Sequence, residues 1–356
     1  MKAVVRENHQ LHLRERPDPV PGEGQVITRT LSCGICGSDL HALHSLEEMT
    51  VAGKPGAQVP PEIPNIIFGH EFCGEILDHG PNTEKRLKAG TKVVAIGFVN
   101  TPMGLQSAGF SPIVPGGFAE QMILTERLLL PVTNGLSDAQ AAMTEPFAVG
   151  EHAVARSAAG PDTINLVVGC GPVGLAVIAA LKARGWGPII ASDYSPARRA
   201  IAEKMGADIV VNPAEESPHS HWGPLGASGL TPRTIDTLFS SPGKRAIAFE
   251  CVGVPGVIQS MIASVPLGTQ IVVAGVCAQT DTFEPLNCIG KEIELKFVFA
   301  YDETEFANTL HNIAEGHIDV LPVITGEVGL DGVAKAFDDL SNPEMHCKIV
   351  VNPTLN

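Results

Sequence analysis

At roughly 150 residues per domain, a chain of 356 residues has room for about two domains and at least one sizeable core, which excludes a coil or a short peptide module. Apolar residues make up 44% and charged residues 18%, with 37 glycines and 28 prolines, a balance that belongs to a globular chain and not to a low-complexity one. The 24 Lys and Arg against 39 Asp and Glu leave a formal charge of −15, and clusters such as Arg198-Arg199 or Lys244-Arg245 are too short to track a phosphate backbone, so no nucleic acid partner is expected.

The amino terminus meets charge at Lys2, Arg6 and Glu7, before an apolar leader can form. The 19-residue uncharged run at 163–181 is nominally long enough to cross a bilayer. It begins with strand-like alternation, however, and Gly169, Gly171, Pro172 and Gly174 interrupt it, so it reads as a buried strand, turn and helix, and no membrane partner is expected. Cys33, Cys36, Cys73, Cys170, Cys251, Cys277, Cys288 and Cys347 sit mostly in apolar stretches, as buried thiols do in a reducing compartment. The expectation is a cytoplasmic protein.

Residues 1–150 show short apolar runs (25–28, 72–77, 92–96 and 118–124) with Gly or Pro in nearly every gap, which predicts an antiparallel, partly barrel-like β region. From 151 to 299 the texture changes. Predicted strands at 163–168, 188–192, 208–211, 246–250, 270–274 and 292–299 alternate with helical patterns at 173–183, 196–205 and 255–265, the signature of a parallel, doubly wound α/β sheet. The stretch 212–231, rich in Pro, Ser and Gly, reads as a surface insertion in which His219 and His221 are loop residues. Helices are predicted at 303–314 and 330–340, and a last strand at 348–351 needs a sheet to join, for which the first region is the expected host. The predicted division is therefore one domain from 1–150 plus 300–356, and a Rossmann domain inserted at 151–299.

Gly169-Cys170-Gly171-Pro172-Val173-Gly174 follows an apolar strand and opens a helix, the context in which such a pattern reads as a dinucleotide site. The first glycine permits the tight turn, the second lets a pyrophosphate approach the backbone, and the third lets helix and strand pack closely. Free N–H groups at the helix start then face the phosphates. Asp193, 19 residues after Gly174, suits the adenosine ribose hydroxyls and favours NAD; Arg198 and Arg199 nearby leave NADP open. Cys251 and Val276, near the ends of later strands, complete the expected cofactor site.

Cys33-Gly34-Ile35-Cys36 alone is compatible with half a zinc knuckle or with a redox pair, and both are incomplete. In combination, Cys36-Gly37-Ser38-Asp39-Leu40-His41, Gly69-His70-Glu71 and Glu145-Pro146, all preceding the glycine fingerprint, give a chain that over nearly its whole length resembles the zinc-dependent medium-chain alcohol and polyol dehydrogenases. The carboxylate at 145 is similar to the sorbitol, threonine and butanediol dehydrogenase branch. The resemblance implies a catalytic zinc held by Cys36 and His70, with Glu71 and Glu145 as alternating third ligands, and interconversion of an alcohol, expected to be secondary, with its ketone or aldehyde at the expense of NAD. A polyol or vicinal diol is the alternative substrate class, and a dinucleotide-sensing protein the non-enzyme alternative. It further implies that Ser38 accepts the alcohol proton and passes it through the nicotinamide ribose to His41, and that Asp39 orients His70. Ser38 and Asp39 are equally suited to capping the helix that begins near Leu40, and Glu145-Pro146 to marking a helix boundary.

Many relatives carry a second, structural zinc in a four-cysteine lobe, and here 97–117 contains no cysteine. One zinc per subunit is expected, with the lobe held by packing of Phe98, Met103 and Phe110. The relatives also imply a homodimer or homotetramer.

Overall fold

The computed structural model describes every residue except 52, 53, 55, 56, 228, 230–242 and 356; the end of the expected 212–231 insertion lies outside the described residues. The chain divides into two compact units, Met1–Glu145 with Phe306–Asn356, and Pro146–Glu305.

The first unit opens with an antiparallel hairpin, β1 (Lys2–Glu7) and β2 (Gln10–Glu15), followed by β3 (Gln25–Gly34). Helix α1 (Gly37–Val51) leads to β4 (Glu71–His79), β5 (Lys92–Ala95), a second hairpin of β6 (Phe98–Thr101) and β7 (Gly104–Ser107), then β8 (Gln121–Thr125) and β9 (Leu129–Pro131). Helix α2 (Asp138–Ala142) follows, and then α3 (Thr144–Ala155), which begins in this unit and runs on into the second from Pro146. Ser137 caps α2 in a reciprocal capping box with Gln140, which satisfies two otherwise orphaned backbone donors.

The second unit runs β10 (Thr163–Val168), α4 (Pro172–Ala183), β11 (Ile189–Ser192), α5 (Pro196–Met205), β12 (Ile209–Val211), β13 (Arg245–Glu250), α6 (Val257–Ser264), β14 (Gln270–Val273), α7 (Pro285–Lys291) and β15 (Glu294–Phe297). Its six described strands lie in the order β12-β11-β10-β13-β14-β15, all parallel, with the order reversing beside β10. This is the doubly wound arrangement the alternating pattern predicts. Helix α4 is buried from Gly174 to Leu181, as an all-round apolar helix must be.

The chain then returns to the first unit through α8 (Glu303–Ala314), β16 (Ile324–Val328), α9 (Val333–Leu340) and β17 (Lys348–Val351). The terminal strand pairs with β3, so the expected host sheet receives it. The sheet is not wholly antiparallel, because β16 pairs with β17 in parallel. Phe337 of α9 stacks on Phe68 at 6.4 Å between ring centroids and meets Phe118 edge-on at 6.0 Å, which ties the carboxy-terminal segment into the β-rich core.

A buried ion pair joins α1 to β1. The Arg6 guanidinium, fully buried, donates to both Glu47 oxygens at 2.8 Å and to the Leu43 carbonyl at 2.9 Å, while Glu47 also accepts from the Ile63 N–H. The hydrogen bond from Arg6, opposed by burial, lowers the Glu47 pKa to about 2.

The expected packing of the cysteine-free lobe is corrected in part. Phe98 is 41% and Met103 76% exposed, because β6 and β7 form a separate two-stranded sheet whose outer face is not covered by any of the described residues. Phe110 does turn inward, its ring 6.2 Å from Phe68 and 5.1 Å from His70. All eight cysteines are free, and no helix among the described residues is long and apolar enough to cross a membrane.

Candidate active site

Cys36 stands where β3 gives way to α1, and local capping chemistry fixes it there. The Asp39 carboxylate reaches back one turn to accept the Cys36 N–H at 2.9 Å, while the Asp39 N–H donates to the Cys36 carbonyl. Asp39, completely buried, also presents its other oxygen 3.2 Å from Nδ1 of His70, an ion-pair contact rather than an aligned hydrogen bond. One carboxylate thus holds the cysteine backbone and faces the histidine ring. Ser38 Oγ lies 3.4 Å from the opposite ring nitrogen, Nε2, and His41 is exposed on the same helix.

His70 and Glu71 enter from the start of β4, after Gly69 at φ 101°. A side chain at 69 would strike Cys33 Sγ, Phe118 and the Gly117 backbone, each within 2.9 Å, so only glycine permits this entry. Cys36, His70 and Glu71 each offer one ligand atom, and these atoms all lie within 4.8 Å of one another. Glu145, on the first turn of α3, falls outside this group.

The donor set fits a zinc ion. Thiolate, imidazole and carboxylate are the ligand types zinc selects, and three of them leave a fourth position open. Burial opposes a positive charge on His70, but the Asp39 carboxylate and the Cys36 sulfur outweigh it and raise the ring's pKa well above the usual histidine value. Surroundings that favour a proton there favour a cation.

Glu71 has a partner that motif reading missed. Both of its oxygens accept from Lys348 Nζ at 2.7 Å, and each side chain is 1% exposed. The ammonium donates a further bond to the Ile35 carbonyl at 2.8 Å. Burial pulls the Lys348 pKa down, and the Glu71 charge more than restores it. The one available signal is Lys348 itself, the sole charge in a short terminal strand otherwise made of Ile and Val. The carboxylate lies over Gly34, where any Cβ would overlap an oxygen of Glu71.

In the second unit, Gly169 adopts φ 91°, and a Cβ there would meet Val252 at 2.7 Å. Gly174 packs so tightly against the Gly169 carbonyl that no side chain fits, whereas a Cβ on Gly171 would have only an Arg198 nitrogen for company, 4.0 Å away. The glycine assigned to phosphate approach is thus the one facing open space. Pro172 and Val173 begin α4. Asp193 accepts the Cys170 N–H at 2.7 Å and the Ser195 N–H at 2.8 Å, which ties the glycine turn to the end of β11. Arg198 Nε is buried without a hydrogen-bond partner. Cys251 donates its N–H to the Val168 carbonyl, at the mouth of the same turn, and burial pushes its thiol pKa well up. Val276, 51% exposed, follows β14, and its backbone abuts Gly253.

A parallel sheet with a bare glycine turn at its reversal point, in a chain whose other unit gathers sulfur, imidazole and carboxylate around buried acid–base partners, defines a nucleotide-linked oxidoreductase. Comparison with known proteins gives the family. Residues 172–315 match the zinc-binding dehydrogenase family and residues 22–134 the alcohol dehydrogenase GroES-like domain. Sorbitol dehydrogenase of Bacillus subtilis (strain 168) is 30% identical over 371 residues, covering 99% of this chain and 97% of that one. The (R,R)-butanediol dehydrogenase of the same organism is 31% identical over 364 residues, covering 99% and 100%. The crystal structure of 2R,3R-butanediol dehydrogenase from Bacillus subtilis superposes with a TM-score of 0.80 at 27% identity over 99% of both chains. The chain belongs to the zinc-dependent medium-chain dehydrogenases, and with them it is an alcohol–nicotinamide oxidoreductase.

Proposed function

We propose that this enzyme transfers hydride between NAD and the carbinol carbon of a secondary alcohol flanked by further hydroxyl groups, a vicinal diol or polyol, with one catalytic zinc per subunit. The observation that carries the reading is the 4.8 Å cluster of Cys36, His70 and Glu71 in a chain matched end to end by sorbitol and butanediol dehydrogenases. Cys36 and His70 hold the ion, and Glu71 and Glu145 alternate as third ligand. Bound there, zinc supplies Lewis-acid polarisation of the alcohol oxygen. Asp39, facing Nδ1, would fix the orientation of the His70 ring, as carboxylate partners of ligand histidines do. The Ser38 hydroxyl accepts the alcohol proton at Oγ as it passes its own proton on, and His41, exposed on the same helix, delivers that proton to solvent.

Asp193 supports NAD as the preferred nucleotide, since a 2′-phosphate beside this carboxylate meets like charge; Gly169, Gly171, Pro172, Val173, Gly174, Arg198, Cys251 and Val276 complete the nucleotide site. The absence of cysteine from 97–117 supports a single zinc. Eight free thiols support a reducing, cytoplasmic setting.

The test is an NADH absorbance assay on monoalcohols and matched diols, alongside metal analysis. Turnover is expected to favour diols strongly, with one zinc per chain. Equal rates on monoalcohols overturn the substrate class, and full activity after zinc removal overturns the mechanism. Cys36→Ala is expected to lose zinc and at least about 10³-fold in kcat/KM, the several kcal/mol that metal polarisation supplies.

A further inference from the structure

In the second unit three strand ends meet around one buried acid. Glu250 closes β13 and is 1% exposed. Its Oε1 accepts the N–H groups of Val252 and Gly253, each at 2.8 Å. Its Oε2 fills the space beside Gly275, where a Cβ would stand 2.5 Å from it, and its main-chain carbonyl accepts the Ala274 and Gly275 N–H groups at 2.9 Å. The next residue, Cys251, donates to the Val168 carbonyl at 2.9 Å. The ends of β10, β13 and β14 are thus tied through two adjacent residues. Gly253, at φ 72°, lies so close to the Val276 carbonyl that a Cβ would be 2.6 Å from it, so the loops after β13 and β14 run backbone against backbone. From the far side Asp281 holds the same loop by accepting the Gly256 N–H at 2.9 Å.

A doubly wound sheet has two mononucleotide-binding halves, and a dinucleotide lies across the crevice outside the carboxyl ends of the strands where their order reverses. The glycine turn and Asp193 belong to the β10–β12 half, which leaves the loops after β13 and β14 for the other half of the cofactor. Val252, Val254 and Val276 stand half-exposed on those loops, an apolar surface suited to a flat nicotinamide ring. We infer that Glu250 is the positioning residue for the nicotinamide half, acting from beneath the loops through the backbone of Val252, Gly253 and Gly275. The inference rests on the glycine turn being a dinucleotide site. Burial raises the Glu250 pKa, and the backbone N–H groups of Gly253, Val252 and Gly275 oppose that rise. A carboxylate accepts in every direction, so it can face donors from two loops at once, whereas an amide of the same shape must turn a donor toward one of them.

Titration calorimetry on the full-length protein with NADH and with ADP tests this, because ADP carries the adenosine and the pyrophosphate but no nicotinamide. Glu250→Gln is expected to bind NADH at least about tenfold more weakly, as charge-assisted bonds to the loops are lost, while ADP affinity stays within about twofold. The control is Asp208→Asn, which removes a carboxylate bond to the Ile189 N–H at the opposite edge of the same sheet and should leave both affinities within about twofold. Equal losses for NADH and ADP in Glu250→Gln would mean that the acid merely holds the fold together, and unchanged NADH affinity would mean that it positions nothing; either overturns the proposal, as does the same split in the control. A wild type that binds neither ligand instead overturns the dinucleotide reading itself. If Glu250→Gln fails to fold, Glu250→Asp, which keeps the charge but draws it back from the loops by one methylene, should show the same split between NADH and ADP, and its absence there is equally decisive.

Discussion

The two units build their sites from different materials. In Pro146–Glu305 the candidate nucleotide site is mostly backbone: three glycines, a helix start, and one carboxylate that accepts two N–H groups. In the other unit the site is almost entirely side chain, drawn from the start of α1, the start of β4 and the last strand. Backbone sites tolerate exchange of most surrounding side chains but not of their glycines. Side-chain sites depend on buried charges whose partners are distant in sequence, and there a single deletion leaves a charge stranded.

The contrast can be broken most forcefully at Lys348. Lys348→Met leaves the Glu71 carboxylate buried and unpaired, and about 3–5 kcal/mol of stability should be lost in denaturant unfolding. Adding Glu71→Gln should recover most of that loss; simple additivity would show that the pair is not coupled. Glu47 offers a second probe of the same unit. Its folded pKa lies near 2 against an ordinary 4.5, so the stability it contributes is complete above pH 4.5 and fades as pH falls toward 2. Up to about 3 kcal/mol should disappear across that window, and Glu47→Gln should flatten the profile there.

Asp39→Asn keeps the shape of the site but removes the charge facing His70. Zinc retention against a chelator should weaken about 10- to 100-fold, with the fold unchanged by circular dichroism. The backbone-built site should respond least. Asp193→Gly should narrow the NAD over NADP preference by roughly tenfold in kcat/KM while nucleotide binding persists, since the glycine turn remains. If Asp193→Gly abolished nucleotide binding altogether, the distinction between the units would fail.

The same distinction explains what was legible in the sequence. The nucleotide unit was readable strand by strand, because 163–168 and 196–205 carry their periods and punctuation locally. The β1–β2 and β6–β7 hairpins and β16 went unpredicted, because cross-strand pairing rather than hydrophobic alternation defines them. At the candidate metal site, Cys36, His70 and Glu71 were legible as motifs. The clamp from Lys348 was not, because 277 residues separate it from Glu71 and only the pairing of β17 with β3 brings it near. The exposure of Phe98 and Met103 also escaped notice, since an apolar residue in a lobe carries no mark of which way it faces.

The bare backbone at Gly34 makes that position a tuning screw for the metal environment. A methyl group there is a wedge under the Glu71 carboxylate, which must then swing off strand β3 and loosen its grip on Lys348. One carbon atom would thereby redistribute negative charge around Cys36 and His70 without touching either, a handle for altering metal preference that acts through the carboxylate alone.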